Sequence, residues 1–382
     1  MKVEAWILER APKPALLKKG TIELASLNAD SVLVEPLYGC WEGNMGHALK
    51  RNPIDICAAR NEDRVVIGNA GVVRALKTGN SASSIIPGEI YILFSGDTGS
   101  LPRFNYPLKA HGYDSHGTVG LLAKQTIVHY KQLLPIPENT RFSLLQWAAF
   151  SLRYITAWGN WKVASQTYRA MVSEKEEPNP SVWGWGGGVS LAILQLAKAA
   201  GYKTALIASN SSRLNLIEQL GITAIDRNSF LRLNSHLEWD PSSKKFSEEY
   251  VQAEKSFLQL VKEYTNGYGV SVFVDLIGEP ILKATIKALS RPGVLTTAGW
   301  KEGMHISYLR ALACMQWHAY IHTHYASLTD AYDAIRYAEQ NAWLPPLEPQ
   351  QKIYSWEEIN LLAEDYLNGH TDYFPLFSIQ AC

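Results

Sequence analysis

The chain has 382 residues, 47% of them hydrophobic and 19% charged, a balance that can bury a sizeable core and that exceeds one ordinary domain. Lys and Arg total 36 and Asp and Glu total 36, so the overall charge recruits neither nucleic acid nor an anionic membrane. Cys40, Cys57, Cys314 and Cys382 are scattered without CxxC spacing, which argues against a disulfide framework and against a structural zinc lobe. No apolar run is long enough to span a bilayer and no leader is read at the start, so a cytoplasmic protein is expected.

In chain order, the first part reads as short β-rich runs divided by Gly, Pro and Asn: Val32 to Glu35, Arg64 to Ile67, Val72 to Ala75, Ile90 to Phe94 and Thr126 to His129. These predict a small barrel-like domain over residues 1–140, closed by Pro135 and Pro137. Ser143 to Trp161 then carries helical apolar spacing and predicts a hinge helix leading into a second domain over 141–327, with 328–382 following it.

The most informative stretch is SVWGWGGGVSLAILQLAKAAGYKTALIASNSSR, from Ser181 to Arg213. Ser181 to Trp183 predicts a buried strand. Gly184, Gly186, Gly187 and Gly188 predict a turn without Cβ atoms, and Val189 to Ala200 a helix whose first amides point at a bound phosphate. Leu191, Leu194, Leu196 and Ala197 give the helix an inner face, Gly201 ends it, and Thr204 to Ala208 forms the next strand. Strand, glycine turn, helix and strand in this order make a dinucleotide cradle. Where an acid would grip the ribose hydroxyls of NAD, this chain has Ser209, followed by Asn210, Ser211, Ser212 and Arg213. Hydroxyls and a guanidinium suit a 2′-phosphate, which favours NADPH over NADH; the alternative is that Arg213 only solvates the start of the next helix.

Further strands are predicted at Ala224 to Asp226, Val270 to Asp275 and Gly293 to Ala298, separated by helical stretches as a doubly wound sheet requires. Between them, Asp240 to Lys245 reads as a surface loop, and Phe246, Tyr250, Ala253, Phe257 and Val261 as one buried helix face. In WHAYIHTHY, from Trp317 to Tyr325, no regular element is expected to present all three histidines at once, so metal binding is not expected there.

The succession of a β-rich domain, a hinge helix, VWGWGGGVSLAILQLAKAAG, LGITAIDRN, TNGYGVSVFVDLIGEP and RPGVLTTAGW resembles the medium-chain dehydrogenase/reductase superfamily. The glycine pattern and IHTHYA resemble most its zinc-independent branch of quinone reductases, enoyl-thioester reductases and crotonyl-CoA carboxylase/reductases. The resemblance implies an α/β architecture: a GroES-like β-rich catalytic domain plus a Rossmann doubly wound parallel sheet. It also implies that the last fifty or so residues return to the catalytic domain, that cofactor and small-molecule substrate sit between the domains, and that the protein is a homodimer joined by sheet edges. Arg227 and Gly299 are then further cofactor contacts, beside Gly184, Gly186, Gly187, Gly188, Val189, Ser209, Ser212 and Arg213.

Zinc members of the superfamily carry a Cys after an early strand, a GHE motif and a third ligand in the hinge helix. Cys40 matches the first; the motif reads Gly68, Asn69, Ala70 and the hinge position falls near Arg153, which bind Zn²⁺ poorly or not at all. No metal is expected, although a displaced site using Cys40, His47 or His116 is conceivable. Without a metal, hydride addition to an activated alkene is favoured, because the charge spreads over an enolate. The position where ene-reductases of the family carry tyrosine holds Trp41, which leaves the proton donor open. The resemblance places Glu42, Arg153, Tyr154 and His324 near the cleft, with His324 and Tyr325 in a strand beside the reactive end of the cofactor; each also reads as a buried or rim residue satisfied by its neighbours. The leading expectation is an NADPH-dependent reductase of an enoyl thioester or enone. The alternatives are an alcohol or aldehyde dehydrogenase and a cofactor-binding protein without catalysis.

Overall fold

In the computed structural model, the described residues are all except 11–14, 99–104, 235–237, 241, 243–244, 304 and 381–382. They form two units, Met1–Ile155 with Tyr325–Cys382, and Thr156–His324. The first division falls inside the helix Leu144–Met171, which covers the expected hinge segment.

The first unit is a set of antiparallel strands organised around Ser31–Cys40, longer than the expected Val32 to Glu35. This strand pairs with Gly71–Thr78 on one side, and with Thr126–His129 and Leu376–Ser378 on the other. Ile90–Leu93 and Leu133–Pro135 extend the sheet beyond Gly71–Thr78, and Ile353–Tyr354 extends it beyond Leu376–Ser378. The pairing of Leu376–Ser378 with Cys40, Gly39 and Tyr38 is the physical form of the C-terminal return. Gly39 is required there, because a Cβ would sit 2.3 Å from the Phe377 ring. Alternating Val32, Val34, Val73, Ala75 and Val128 fill one buried cluster, as β-branched residues do on a pleated half-buried surface. A second, three-stranded sheet joins Leu17–Glu23, Lys2–Glu9 and Arg64–Val65, the last ending short of the expected Ile67. The stretch after Cys40 contains the helix Gly43–Lys50.

The second unit carries a six-stranded parallel sheet in the order Thr223–Asp226, Lys203–Ala208, Ser181–Trp185, Val270–Val274, Leu289–Thr297, His318–His322. This is the doubly wound order of a Rossmann sheet, with the order of strand addition reversing at Ser181–Trp185. Ser181–Trp185 and Val270–Val274 are buried at every position, because helices cover both faces of a parallel sheet. Expected strands and helices recur here with end shifts of a few residues, and four readings change. Gly184 belongs to the strand and not to the turn, and the helix begins at Gly188. Phe246 lies in a short strand, Lys245–Phe246, so the buried helix face within Glu248–Tyr264 is Tyr250, Phe257 and Val261. Lys245–Phe246 pairs with Trp239–Asp240, so the ends of the expected loop Asp240 to Lys245 are a hairpin; positions 241 and 243–244 lie outside the described residues. The last strand stops at His322, which leaves His324 and Tyr325 beyond it. His318 and His322, four apart on this strand, share a face by the two-residue period of strands.

Asp275 follows Val270–Val274 at the carboxyl edge of the sheet and is buried. Its Oδ1 accepts from the amides of Ile277 at 2.8 Å and Gly278 at 3.0 Å, while Oδ2 has no partner among the described residues. Burial, opposed by those two amides, pushes its carboxyl up to about 6. Between about pH 4 and 6 the folded state therefore binds the proton more tightly than the unfolded chain, and stability drains away as pH rises through that window, by about 3 kcal/mol in all. His111, held down to about 4 by burial, acts in the opposite sense: its contribution is present above its ordinary range and is lost as pH falls. The two are separated by comparing Asp275→Asn with the wild type across pH. The melting temperature of the variant should exceed that of the wild type increasingly from pH 4 to pH 7, and a constant difference would show that Asp275 binds its proton equally well in the folded and unfolded states.

Candidate active site

The cradle in the second unit is built by chain geometry. Gly186 donates its amide to the Ile207 carbonyl at 2.8 Å, and a Cβ on it would meet that carbonyl oxygen at 2.9 Å. Gly187 has φ +148° and caps the helix Gly188–Ala199 without any side-chain bond, and a Cβ on it would meet nothing within 4 Å. The first-turn amides of that helix have no intrahelical partner. Ser190, in the same turn, is buried with its Oγ unpartnered among the described residues. Open space beside Gly187, first-turn amides and a buried hydroxyl suit a bound anion, so these residues fit the pyrophosphate of a dinucleotide. Gly184 has a packing role instead: its Cα faces Leu206, Ser190 and Leu194, where a Cβ would come within 3.3 to 3.5 Å.

At the next two strand ends the structure gathers the residues expected around the adenosine. Ala208 is in register with Asp226, so Ser209 and Arg227 emerge side by side. Asn210 caps the helix Ser211–Gln219 by accepting from the Ser212 amide at 2.9 Å, and the Ser212 hydroxyl donates to the same oxygen at 2.8 Å. Arg213 lies in the first turn of that helix and is half-buried. Asp226 caps the 3₁₀ turn Arg227–Phe230, and Asn228 Nδ2 donates to the Ser209 carbonyl at 3.1 Å, fastening the two loops together. No carboxylate occupies the end of Lys203–Ala208, where Ser209 is exposed.

At the other side of the same sheet edge, Asn160 from the long helix is buried and fully engaged. Its Nδ2 donates to the Thr297 carbonyl at 3.1 Å and to Thr323 Oγ1 at 2.8 Å, and its Oδ1 accepts from Thr296 Oγ1 at 3.0 Å. It thereby clamps the ends of Leu289–Thr297 and His318–His322, from which Gly299 and His324 follow. A Cβ on Gly299 would meet nothing within 4 Å. His324 is exposed, its Nδ1 lies 3.2 Å from the Ala298 carbonyl, and its ring stacks on Trp300 at 5.4 Å.

In the first unit, Glu42 and Arg153 form a buried pair. Arg153 Nε donates to Glu42 Oε2 at 2.9 Å and Nη2 to the Trp41 carbonyl at 2.7 Å, while Nη1 donates to the Tyr373 carbonyl. The guanidinium also lies 5.6 Å from the Phe374 ring. Burial raises the Glu42 carboxyl, with the charge of Arg153 opposing. Burial also pushes the Cys40 thiol upward, well above its ordinary range. Tyr154 is fully buried between Phe150, Trp343 and Phe374, the packing expected of a core residue. The positions of a family zinc site therefore hold a protonated thiol, an amide and a guanidinium that already supplies the positive charge, a donor set that does not fit Zn²⁺. His116 is engaged elsewhere, with Nδ1 2.8 Å from the Arg60 carbonyl and 3.1 Å from Glu62. His47 lies in the helix Gly43–Lys50. Among the described residues no three His, Cys, Asp or Glu side chains are grouped to hold a metal.

Asn160, Ser190, Asn228 and Asp275 were missed by the sequence reading. Two left a trace: Asn160 is a polar residue inside an apolar helix, and Asp275 directly follows an apolar strand.

A β-rich antiparallel unit with a C-terminal return, together with a Rossmann sheet carrying a glycine cradle, is the fold of the medium-chain dehydrogenase/reductase superfamily. Comparison with known proteins finds this fold in solved structures and a likeness in sequence to crotonyl-CoA reductases. It is 25% identical over 315 residues to a crotonyl-CoA reductase of Streptomyces avermitilis, a match covering 78% of this chain and 65% of the relative, so the chain spans just under two thirds of that relative's length. Among solved structures it is similar to the 2-octenoyl-CoA carboxylase reductase CinF in complex with NADP and 2-octenoyl-CoA, with TM-score 0.80 and 18% identity over 99% of this chain and 87% of that one. It is similar also to an alcohol dehydrogenase of Aeropyrum pernix, with TM-score 0.77 and 17% identity over 99% of this chain and 100% of that one. No protein-family model matches the chain.

Removing one member of the buried pair tests its role. Glu42→Gln leaves the Arg153 guanidinium without its counter-charge and is expected to cost about 3 kcal/mol of unfolding free energy, read by urea denaturation. A loss under about 1 kcal/mol would show that the pair does not anchor this unit.

Proposed function

We propose that the protein is an NADPH-dependent, zinc-independent oxidoreductase that adds hydride to the activated double bond of an enoyl thioester. The observation that carries this reading is the cradle Gly186–Gly188 beside a second strand, Lys203–Ala208, that is followed by Ser209 and not by an acid. The names of the similar proteins, a crotonyl-CoA reductase and a carboxylase reductase bound to NADP and 2-octenoyl-CoA, support both the cofactor and the substrate class. When bound, NADPH supplies the hydride.

The chain's own residues do the rest. The amides of Gly188, Val189 and Ser190 hold the pyrophosphate, with Gly186 and Gly187 allowing its approach. Ser209, Ser212, Arg213 and Arg227 receive the 2′-phosphate, where an acid would repel it. Asn160 fixes the strand ends that carry Gly299 and His324 beside the nicotinamide. His324 lines that end of the site, and its bond toward Ala298 sets the orientation of its ring. Glu42 and Arg153 act through position: they lock the segment after Cys40, which supports a structural role for the pair and for Tyr154.

An alcohol or aldehyde dehydrogenase is the second reading, favoured by the similarity to the Aeropyrum pernix enzyme and opposed by the misfit of Cys40, Asn69 and Arg153 to zinc. A homodimer is supported by the edge strand His318–His322 and by Leu309, Leu312, Met315 and Trp317, all exposed close to it in sequence. A cytoplasmic setting is consistent with the free thiols of Cys40, Cys57 and Cys314.

NADPH consumption should be observed with crotonyl-CoA and should be at least tenfold slower with an aldehyde of the same chain length, and should survive dialysis against a chelator. Faster aldehyde reduction, abolished by the chelator and restored by Zn²⁺, would establish the second reading. Arg227→Ala should weaken NADPH binding by about tenfold, ~1.4 kcal/mol, while leaving NADH binding unchanged, as read by fluorescence titration; equal losses for both nucleotides would remove Arg227 from the phosphate site.

A further inference from the structure

Two loops leave the carboxyl edge of the parallel sheet side by side, and one side chain ties them together. Ala208 and Asp226 are the last in-register pair of Lys203–Ala208 and Thr223–Asp226, so the chain leaves the sheet at Ser209 on one strand and at Arg227 on the next. Asn228 joins the two, its Nδ2 donating to the Ser209 carbonyl at 3.1 Å. A carbonyl oxygen only accepts, so this contact needs the nitrogen of a carboxamide and is closed to an ionised aspartate of the same shape. The backbone of Asn228 is held as well, its amide donating to Asp226 Oδ1 at 2.8 Å at the start of the turn Arg227–Phe230. Asn228 and Ser209 are nonetheless exposed. One hydrogen bond between exposed groups adds little to folding stability, because water replaces it in the unfolded chain. Its effect is local: it holds two short loops in one arrangement before any ligand arrives and so removes an ordering cost from binding.

We infer that Asn228 is a positioning residue for nucleotide specificity, holding Ser209 and Arg227 in the arrangement that receives the 2′-phosphate. The inference rests on the NADPH reading above and adds to it a residue that acts through its neighbours. Its neutrality matters as much as its bond. Lys203–Ala208 is followed by a serine and not by an acid, and Asn228, bonded to that serine, brings no charge to the same point. An aspartate in its place would lose the bond to Ser209 and set a negative charge beside the phosphate. Loss of the link therefore falls on the nucleotide that carries a 2′-phosphate and spares the one that does not, whereas damage to the sheet would weaken both.

The test compares wild type, Asn228→Ala and Asn228→Asp by fluorescence titration with NADPH and with NADH, and by the melting temperature of the protein without ligands. Asn228→Ala should bind NADPH about fivefold more weakly, ~1 kcal/mol, bind NADH within about twofold of wild type, and melt within about 2 °C of it. Asn228→Asp should bind NADPH at least about tenfold more weakly, again with NADH within about twofold, because the charge adds to the lost bond. Wild-type preference for NADPH in either variant would overturn the inference. Equal losses for the two nucleotides would overturn it too, by showing that Asn228 serves the fold alone. Both of those results leave the NADPH reading intact. Should the wild type itself bind NADH as tightly as NADPH, that reading fails and takes the role of Asn228 with it.

Discussion

The close approach of backbone to backbone at Gly186 is the constraint on which the second unit depends. A parallel sheet leaves its ligand edge where strands end and helices begin, and the chain must reverse there within two residues. Here Gly186 bonds to the neighbouring strand at Ile207, in a space that no Cβ could share, and Gly187 turns the chain with a φ that favours glycine. The helix that follows brings unpaired amides to the turn, so the same geometry that makes the connection short creates the anion site. The proposed 2′-phosphate site lies at the neighbouring strand ends, where Ser209 and Arg227 emerge together because Ala208 and Asp226 are in register.

The first unit solves a different problem. Its central strand ends at Cys40, and the positions that could have gathered a metal are filled by a thiol kept protonated by burial, by Asn69, and by Arg153 paired with Glu42. A buried guanidinium demands several acceptors, and it finds them in Glu42 and in the carbonyls of Trp41 and Tyr373, which draws the early strand, the long helix and the C-terminal return together. The charge of Arg153 is thus engaged within the fold.

Much of this was legible in the sequence because it is local. Glycines after a short apolar strand, the helix behind them and a serine in place of an acid all lie within one stretch, and the parallel strands read as apolar runs because they are buried on both faces. The errors were at places where periodicity cannot speak. Gly184 reads as part of the turn, yet the ladder to Lys203–Ala208 continues through it to Trp185. Phe246 falls at helical spacing, but Ser247 caps the helix after it. His324 lies past the end of its strand. The buried Asn160 and Asp275 left only a trace, since an Asn or Asp gains its meaning from partners distant in sequence, which are not written locally.

The claim at the centre of this account is that the carboxyl edge of the parallel sheet holds NADPH by its phosphates. A crystal soaked with NADP⁺ tests it most directly. The account predicts the pyrophosphate within hydrogen-bond distance of the Gly188 and Val189 amides and the 2′-phosphate against Ser209, Ser212, Arg213 or Arg227. A nucleotide bound with its pyrophosphate away from the glycine turn, or with its 2′-phosphate in solvent, would contradict it.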